Sequence, residues 1–210
     1  ENTYIVFTDV PENHWAYEAV HNLRALKITD GIGNNMFGLG MTVTRAEFVA
    51  FLVKLMQWEL VSPEQGSFAD NMDNTVWYYA AIETALQHDV ISKDIQNFRP
   101  KDAITREEMA VMLVRALGYK SLAEQLNNLD SPFDDVTENI GYITMAKDFG
   151  IITGVGNNMF KPKDTAKREE AAAMMTRMYE KLNSPIKELH GFYAIKSAPQ
   201  ADMIKELDSV

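Results

Sequence analysis

The chain contains no cysteine, which excludes disulfides, Cys-based zinc sites and thiol redox chemistry, and leaves the compartment unreadable from bridges. Histidine is almost as scarce. The four, at positions 14, 21, 88 and 190, lack metal-ligand spacing, because His14 and His21 lie two helical turns apart with no third ligand nearby; they read as satisfied surface or partly buried side chains. Positive charge is also in deficit, with 20 Lys and Arg against 30 Asp and Glu and a formal charge of −10. That balance argues against a nucleic-acid partner, which needs a basic face, although a few placed cations and helix N-termini could still hold a small anion. No apolar run approaches the length of a bilayer, so no membrane partner is expected. The loops hold neither a closed Ca²⁺ loop nor a phosphate-binding Gly-rich loop, since Gly31-Ile32-Gly33 is followed by Asn34-Asn35-Met36 without Lys-Ser/Thr. With no catalytic set visible, neither an enzyme nor a cofactor or metal is expected. The chain opens at Glu1 with neither Met nor a charged-then-apolar leader, which fits a mature or trimmed product as well as a cytosolic one.

What the chain does have is globular composition, 46% hydrophobic and 24% charged, and one pattern written three times at a period of about 60 residues. Phe7-Thr8-Asp9-Val10, Phe68-Ala69-Asp70-Asn71 and Phe133-Asp134-Asp135-Val136 open the copies, and Thr44-Arg45-Ala46-Glu47, Thr105-Arg106-Glu107-Glu108 and Lys167-Arg168-Glu169-Glu170 begin their closing helices. Each copy reads as helix, loop, helix. In the first, the spacing of Trp15, Ala19, Val20, Leu23 and Leu26 predicts a helix from His14 to about Leu26, and Phe48, Phe51, Leu52 and Leu55 give a second helix one apolar face. The second copy repeats this with Trp77, Ala81, Ile82, Ala85, Leu86 and then Met109, Met112, Leu113, Ala116. The third has Ile143, Ala146, Phe149 and then Ala171, Met174, Met175, Met178. Between the helices, turns such as Asp30-Gly31-Ile32-Gly33-Asn34-Asn35 are rich in residues that tolerate positive φ. Two helices cannot bury both apolar faces alone, so the three units are expected to pack into one all-α body, divided at 1–62, 63–125 and 126–183. Beyond Asn183-Ser184-Pro185, the run Leu189-His190-Gly191-Phe192-Tyr193-Ala194-Ile195 suits a strand, and 184–210 reads as a linker and the start of a further domain.

Thr44 and Glu47 form a capping box, and so do Thr105 and Glu108. Lys167 replaces that Thr in the third copy, at a cost of about 1 kcal/mol. The Arg at the first helical position is the odd choice, because a cation beside the positive end of the macrodipole costs about 0.3–1 kcal/mol. Its recurrence at Arg45, Arg106 and Arg168 suggests an anion at each. Two readings stay open: a ligand carboxylate, or internal pairing with Asp9, Asp70 and Asp135. Both could hold together, the Asp orienting a guanidinium whose remaining donors meet the ligand. Trp15 and Trp77 are most simply core aromatics, or else platforms at the rim of a groove for the apolar face of a sugar.

A unit reading Phe-x-Asp-Val, Trp-Ala, an apolar turn with Gly, then Thr-Arg-x-Glu resembles the S-layer homology (SLH) motif, and three copies over roughly residues 4–182 resemble a complete SLH domain. The resemblance implies a pseudo-threefold helical spindle with a central three-helix bundle and a groove between each pair of neighbouring motifs. It also implies non-covalent anchoring of an exported protein to the bacterial cell wall. The partner would be secondary cell wall polysaccharide, a peptidoglycan-linked polymer, with pyruvylated N-acetylmannosamine facing the motif Arg. Carried over, the ligand-facing residues are Arg45, Arg106, Arg168, Asp9, Asp70, Asp135, Trp15, Trp77, Gly31 and Gly154, on a monomeric domain at the cell surface. Lys93 stands where the others have Gly31 and Gly154, so a side chain is expected to intrude on the second groove where backbone should approach the sugar, and Glu138 stands where the Trp would sit; the grooves are therefore not expected to be equivalent. Residues 189–195 weakly resemble the first strand of a glycoside hydrolase family 18-like barrel. Hence the alternative of a targeting module for a surface glycosidase whose catalytic domain lies beyond residue 210.

Overall fold

The computed structural model describes residues 6–183; the expected strand at 189–195 lies outside them. Among the described residues there are seven α-helices, one 3₁₀ turn (Leu126–Asn128) and isolated β-bridges without named strands. The inner helices are α2 (Arg45–Leu55), α4 (Arg106–Ala116) and α7 (Arg168–Asn183); the outer ones are α1 (Tyr17–Ala25), α3 (Tyr79–Gln87) and α6 (Ile140–Asp148); α5 (Lys120–Gln125) braces α6. The fold is the expected all-α arrangement of three repeats.

The repeats close into a ring through their backbones. Ile104 N–H donates to the Val43 carbonyl at 3.0 Å, Val43 N–H to Ala166 at 3.1 Å, and Ala166 N–H to Ile104 at 2.9 Å. One turn on, the first-position amides of the inner helices, unsatisfied within their own helices, are also met by the next repeat: Arg45 N–H bonds Asp102 O, Arg106 N–H bonds Asp164 O and Arg168 N–H bonds Met41 O. The outer helices interlock in the same sense, α3 on α2, α6 on α4 and α1 on α7. Each repeat therefore buries its apolar face on a neighbour, as the paired periodicities require. Phe7, Phe37, Phe48, Phe68, Phe98 and Phe160 are among the largest fully buried side chains.

The outer helices begin later than their periodicity suggests. Pro11 to Ala16 forms a turn in which His14 N–H reaches the Pro11 carbonyl at 2.9 Å and Tyr17 N–H reaches that of His14 at 2.9 Å; the His14 ring nitrogen takes the Ala16 N–H. A like turn precedes α3, with Tyr79 N–H on Val76 O. Trp15 and Trp77 thus precede their helices and are 62% and 65% exposed, which overturns the reading of them as core aromatics.

Candidate functional site

The motif Asp residues secure their own loops. Asp9 accepts the amides of Phe37 at 2.7 Å, Gly38 at 2.8 Å and Leu39 at 3.0 Å. Asp70 takes those of Phe98 and Arg99, and Asp135 those of Phe160 and Lys161. Arg99 and Lys161 have positive φ, 62° and 56°, a conformation disfavoured for side-chain-bearing residues, and the carboxylate hydrogen bond helps hold each there. Burial opposes ionisation of Asp9 and Asp135, but the amides outweigh it and keep both below the ordinary carboxylate value.

The motif Arg residues reach across to the next repeat. Arg168 donates from Nε to the Phe37 carbonyl at 2.9 Å and from Nη1 to Glu47 Oε1 at 2.7 Å. Arg45 does the same with Phe98 and Glu108 at 2.8 and 2.7 Å, and Arg106 with Phe160 and Glu170. The three are 2%, 5% and 6% exposed. Expected direct pairing of Arg with Asp is therefore corrected: the two meet through one peptide, whose N–H the Asp accepts and whose carbonyl the neighbouring Arg bonds. The true carboxylate partner is the capping-box Glu, which has a second task. Glu47 Oε2 accepts the Thr44 N–H at 2.8 Å while Oε1 takes the Arg. Glu170 keeps the same double role although Lys167 supplies no capping hydroxyl. Burial draws Arg45 down from its usual pKa, opposed by the charge of Glu108, and Glu108 is held below the usual carboxylate value against its own burial, chiefly by Arg45.

This displacement by one repeat makes every groove a product of all three. The first groove, 560 Å³, joins Gly31 and Glu47 of the first repeat to Trp77 of the second and Arg168 of the third. The third groove, 190 Å³, joins Gly154 and Glu170 to Trp15 and Arg106. The second, 410 Å³, has Arg45 and Glu108 but Glu138 where the others have Trp. There Lys163 bridges Glu138 at 2.7 Å and Glu107 at 2.8 Å; those hydrogen bonds raise the Lys pKa, and the bond from Lys163 lowers that of Glu138. Arg99 adds a second cation on Glu108 at 2.6 Å.

Asp9, Asp70 and Asp135 line none of the three grooves. Gly31 and Gly154 do, but the protein itself demands them: a Cβ on Gly31 would fall 2.1 Å from the Met36 carbonyl oxygen, and one on Gly154 2.8 Å from that of Met159. Lys93 does not intrude on the second groove; it lines a separate 820 Å³ depression beside the second repeat, which contains none of the repeated Arg or Trp and whose Glu83 is bonded by Ser67 and Asn71. His21 is satisfied between Phe7 N–H and the Tyr17 carbonyl, and the described residues hold no cluster of His, Asp and Glu suited to a metal. No helix among them is long and apolar enough to cross a membrane.

The sequence reading missed the Arg–Glu pairs and Lys163. The Glu recurrence was visible, but capping already accounted for it.

Comparison with known proteins agrees with this geometry. The family model for the S-layer homology domain matches residues 6–49, 72–110 and 132–172. The chain is 35% identical to the exoglucanase XynX of Acetivibrio thermocellus over 86% of its length and 17% of that protein's. It is 34% identical to an amylopullulanase of Thermoanaerobacterium thermosulfurigenes over 83% of its length and 10% of the relative's. It is 29% identical to the S-layer protein sap of Bacillus anthracis, over 81% and 21%. The chain thus spans a small part of each. With three matched motifs covering more than half its residues, it belongs to the S-layer homology domain family, a class of non-catalytic modules that anchor proteins to the cell wall.

Proposed function

We propose that this domain fixes an exported protein at the bacterial surface by binding secondary cell wall polysaccharide in its grooves, with pyruvylated N-acetylmannosamine as the epitope. The observation that carries the reading is the state of Arg168. Its Nε and Nη1 are used internally, while among the described residues nothing accepts a hydrogen bond from Nη2, and the side chain forms part of the wall of a groove flanked by an exposed Trp. A carboxylate is the natural acceptor for that donor, and an indole the natural platform for the sugar ring beside it. Asp9, Asp70 and Asp135 support binding indirectly, by holding the loops.

The grooves should differ in strength. The first is complete. In the third, Arg106 Nη2 already donates to the Thr153 carbonyl at 3.2 Å and the space is small; the second lacks the Trp and spends Lys163 on Glu138. One chain closes its own ring, which favours a monomeric domain with repeats at 1–62, 63–125 and 126–183. The test is co-sedimentation of the chain with purified cell walls before and after mild acid removal of pyruvyl ketals. Sedimentation with untreated walls alone supports the epitope, and equal sedimentation with both rules it out. A second reading, that the anchored cargo is a glycoside hydrolase, is favoured by enzymes such as the exoglucanase and the amylopullulanase among the relatives; the gene sequence past Val210 decides it.

A further inference from the structure

The three grooves share one plan, yet the first runs further. Along its inner helix it passes Lys54, the position matched by Arg115 and Arg177 in the other two, and continues through Gln57, Trp58 and Leu60. The cause is how the inner helices end. α2 stops at Leu55, Gln57 takes a φ of 55°, and Trp58 N–H turns back to the Val53 carbonyl at 3.2 Å. That reversal sends Trp58 toward the end of α3, where its ring stacks on His88 at 3.9 Å. α4 ends alike, with Gly118 at φ 83° and Tyr119 N–H on Val114 O, but Tyr119 is buried beside Phe149, 5.2 Å between centroids. α7 does not stop there and stays helical to Asn183.

The first groove consequently has two chemically different ends. Near the start of α2 are Arg168, Glu47 and Trp77; past its end are Gln57 and Trp58, and Leu60, 63% exposed, follows as the chain turns back along α3, where Val61 N–H bonds Thr84 Oγ1 at 2.9 Å; all three are apolar or uncharged. A rise of 1.5 Å per residue separates Glu47 from Leu55 by about 12 Å along the wall, more than one pyranose ring spans. The third groove, which has the Arg and Trp but no such extension, encloses 190 Å³ against 560 Å³.

We propose that the Trp58–Leu60 end is a second subsite, which takes the uncharged sugar adjoining the pyruvylated unit with its apolar face on the indole and Leu60. The inference rests on the reading of the Arg168 end as the anionic subsite. Its test is calorimetric titration of the full chain carrying Trp15→Ala, to weaken the third groove. The probes are a pyruvylated N-acetylmannosamine methyl glycoside and a disaccharide joining that unit to one unmodified N-acetylhexosamine. The disaccharide should bind about five- to tenfold tighter, the scale of one aromatic contact. Trp58→Ala and Leu60→Ser should each abolish that gain while leaving monosaccharide affinity unchanged; Leu60 is exposed, so its variant folds even if loss of the His88 stack does not permit the other. No gain in the parent, or a gain kept in both variants, overturns the second subsite. A monosaccharide that fails to bind overturns the Arg168 reading itself, and the second subsite with it.

Discussion

Replacing Arg168 by alanine should destabilise the fold, whatever it does to binding. The substitution removes the Nε bond to the Phe37 carbonyl and the Nη1 contact with Glu47, and guanidinium packing over Phe37 at 5.2 Å and Phe51 at 5.5 Å. A charge-assisted hydrogen bond is worth about 1.5–3 kcal/mol and each cation–π contact about 0.5–1 kcal/mol; the Glu47 left behind is 29% exposed, so its unpaired charge costs less than the about 3–5 kcal/mol of a fully buried pair. These terms overlap because they belong to one side chain, so the expected loss is about 3–5 kcal/mol. At about 2–4 °C per kcal/mol for a domain of this size, the Tm falls by about 10 °C. Arg168→Lys keeps the charge but not the fork that meets carbonyl and carboxylate together, and should recover only part of the loss. Urea and thermal melts followed by circular dichroism measure both. A loss under about 1 kcal/mol for Arg168→Ala, below the value of one charge-assisted hydrogen bond, would mean that the ring of Arg–Glu pairs does not hold the repeats together. Lost polymer binding in an Arg variant is accordingly ambiguous, and the exposed tryptophans are the cleaner probes.

Trp77→Ala and Trp15→Ala should change stability by no more than about 0.5 kcal/mol, being surface substitutions, while Trp77→Ala weakens wall binding about fivefold or more and Trp15→Ala weakens it less; paired melts and wall-binding isotherms check this. Glu138→Trp should supply the missing rim aromatic and leave Lys163 with Glu107 as its one carboxylate partner, so that calorimetry counts one more site per chain; an unchanged count would show that the second groove is closed for another reason. Acid should loosen the loops. Because Asp9 and Asp135 titrate below the unfolded value of about 3.8, their stabilisation is complete above that value and is lost as pH falls through the folded values; Asp9→Asn should flatten the Tm decline below about pH 4.

Period and helix faces were legible because each repeat had to bury two apolar stripes, and the stripes at Phe48, Phe51, Leu52, Leu55 and their counterparts are all buried. Capping boxes were legible because they are local. The Arg partners were not: Arg168 and Glu47 are separated by 121 positions, and which repeat follows which around the ring is a property of closure that no spacing within one copy contains. Trp15 and Trp77 misled as core residues because they sit in phase with the helices they precede, and only the turns at Pro11–Ala16 and before Tyr79 take them out of that phase. Trp58 gave no repeat signal, since the other copies have Tyr119 and Lys181 in its place.

Whether the grooves recognise the pyruvyl carboxylate is decided by calorimetric titration of this chain with a synthetic pyruvylated N-acetylmannosamine glycoside, beside the same sugar without the pyruvyl group. The expected result is binding of the pyruvylated sugar alone, at no more than two sites per chain, the stronger of them weakened about fivefold or more by Trp77→Ala. Equal binding of the two sugars, or three equivalent sites, would contradict it.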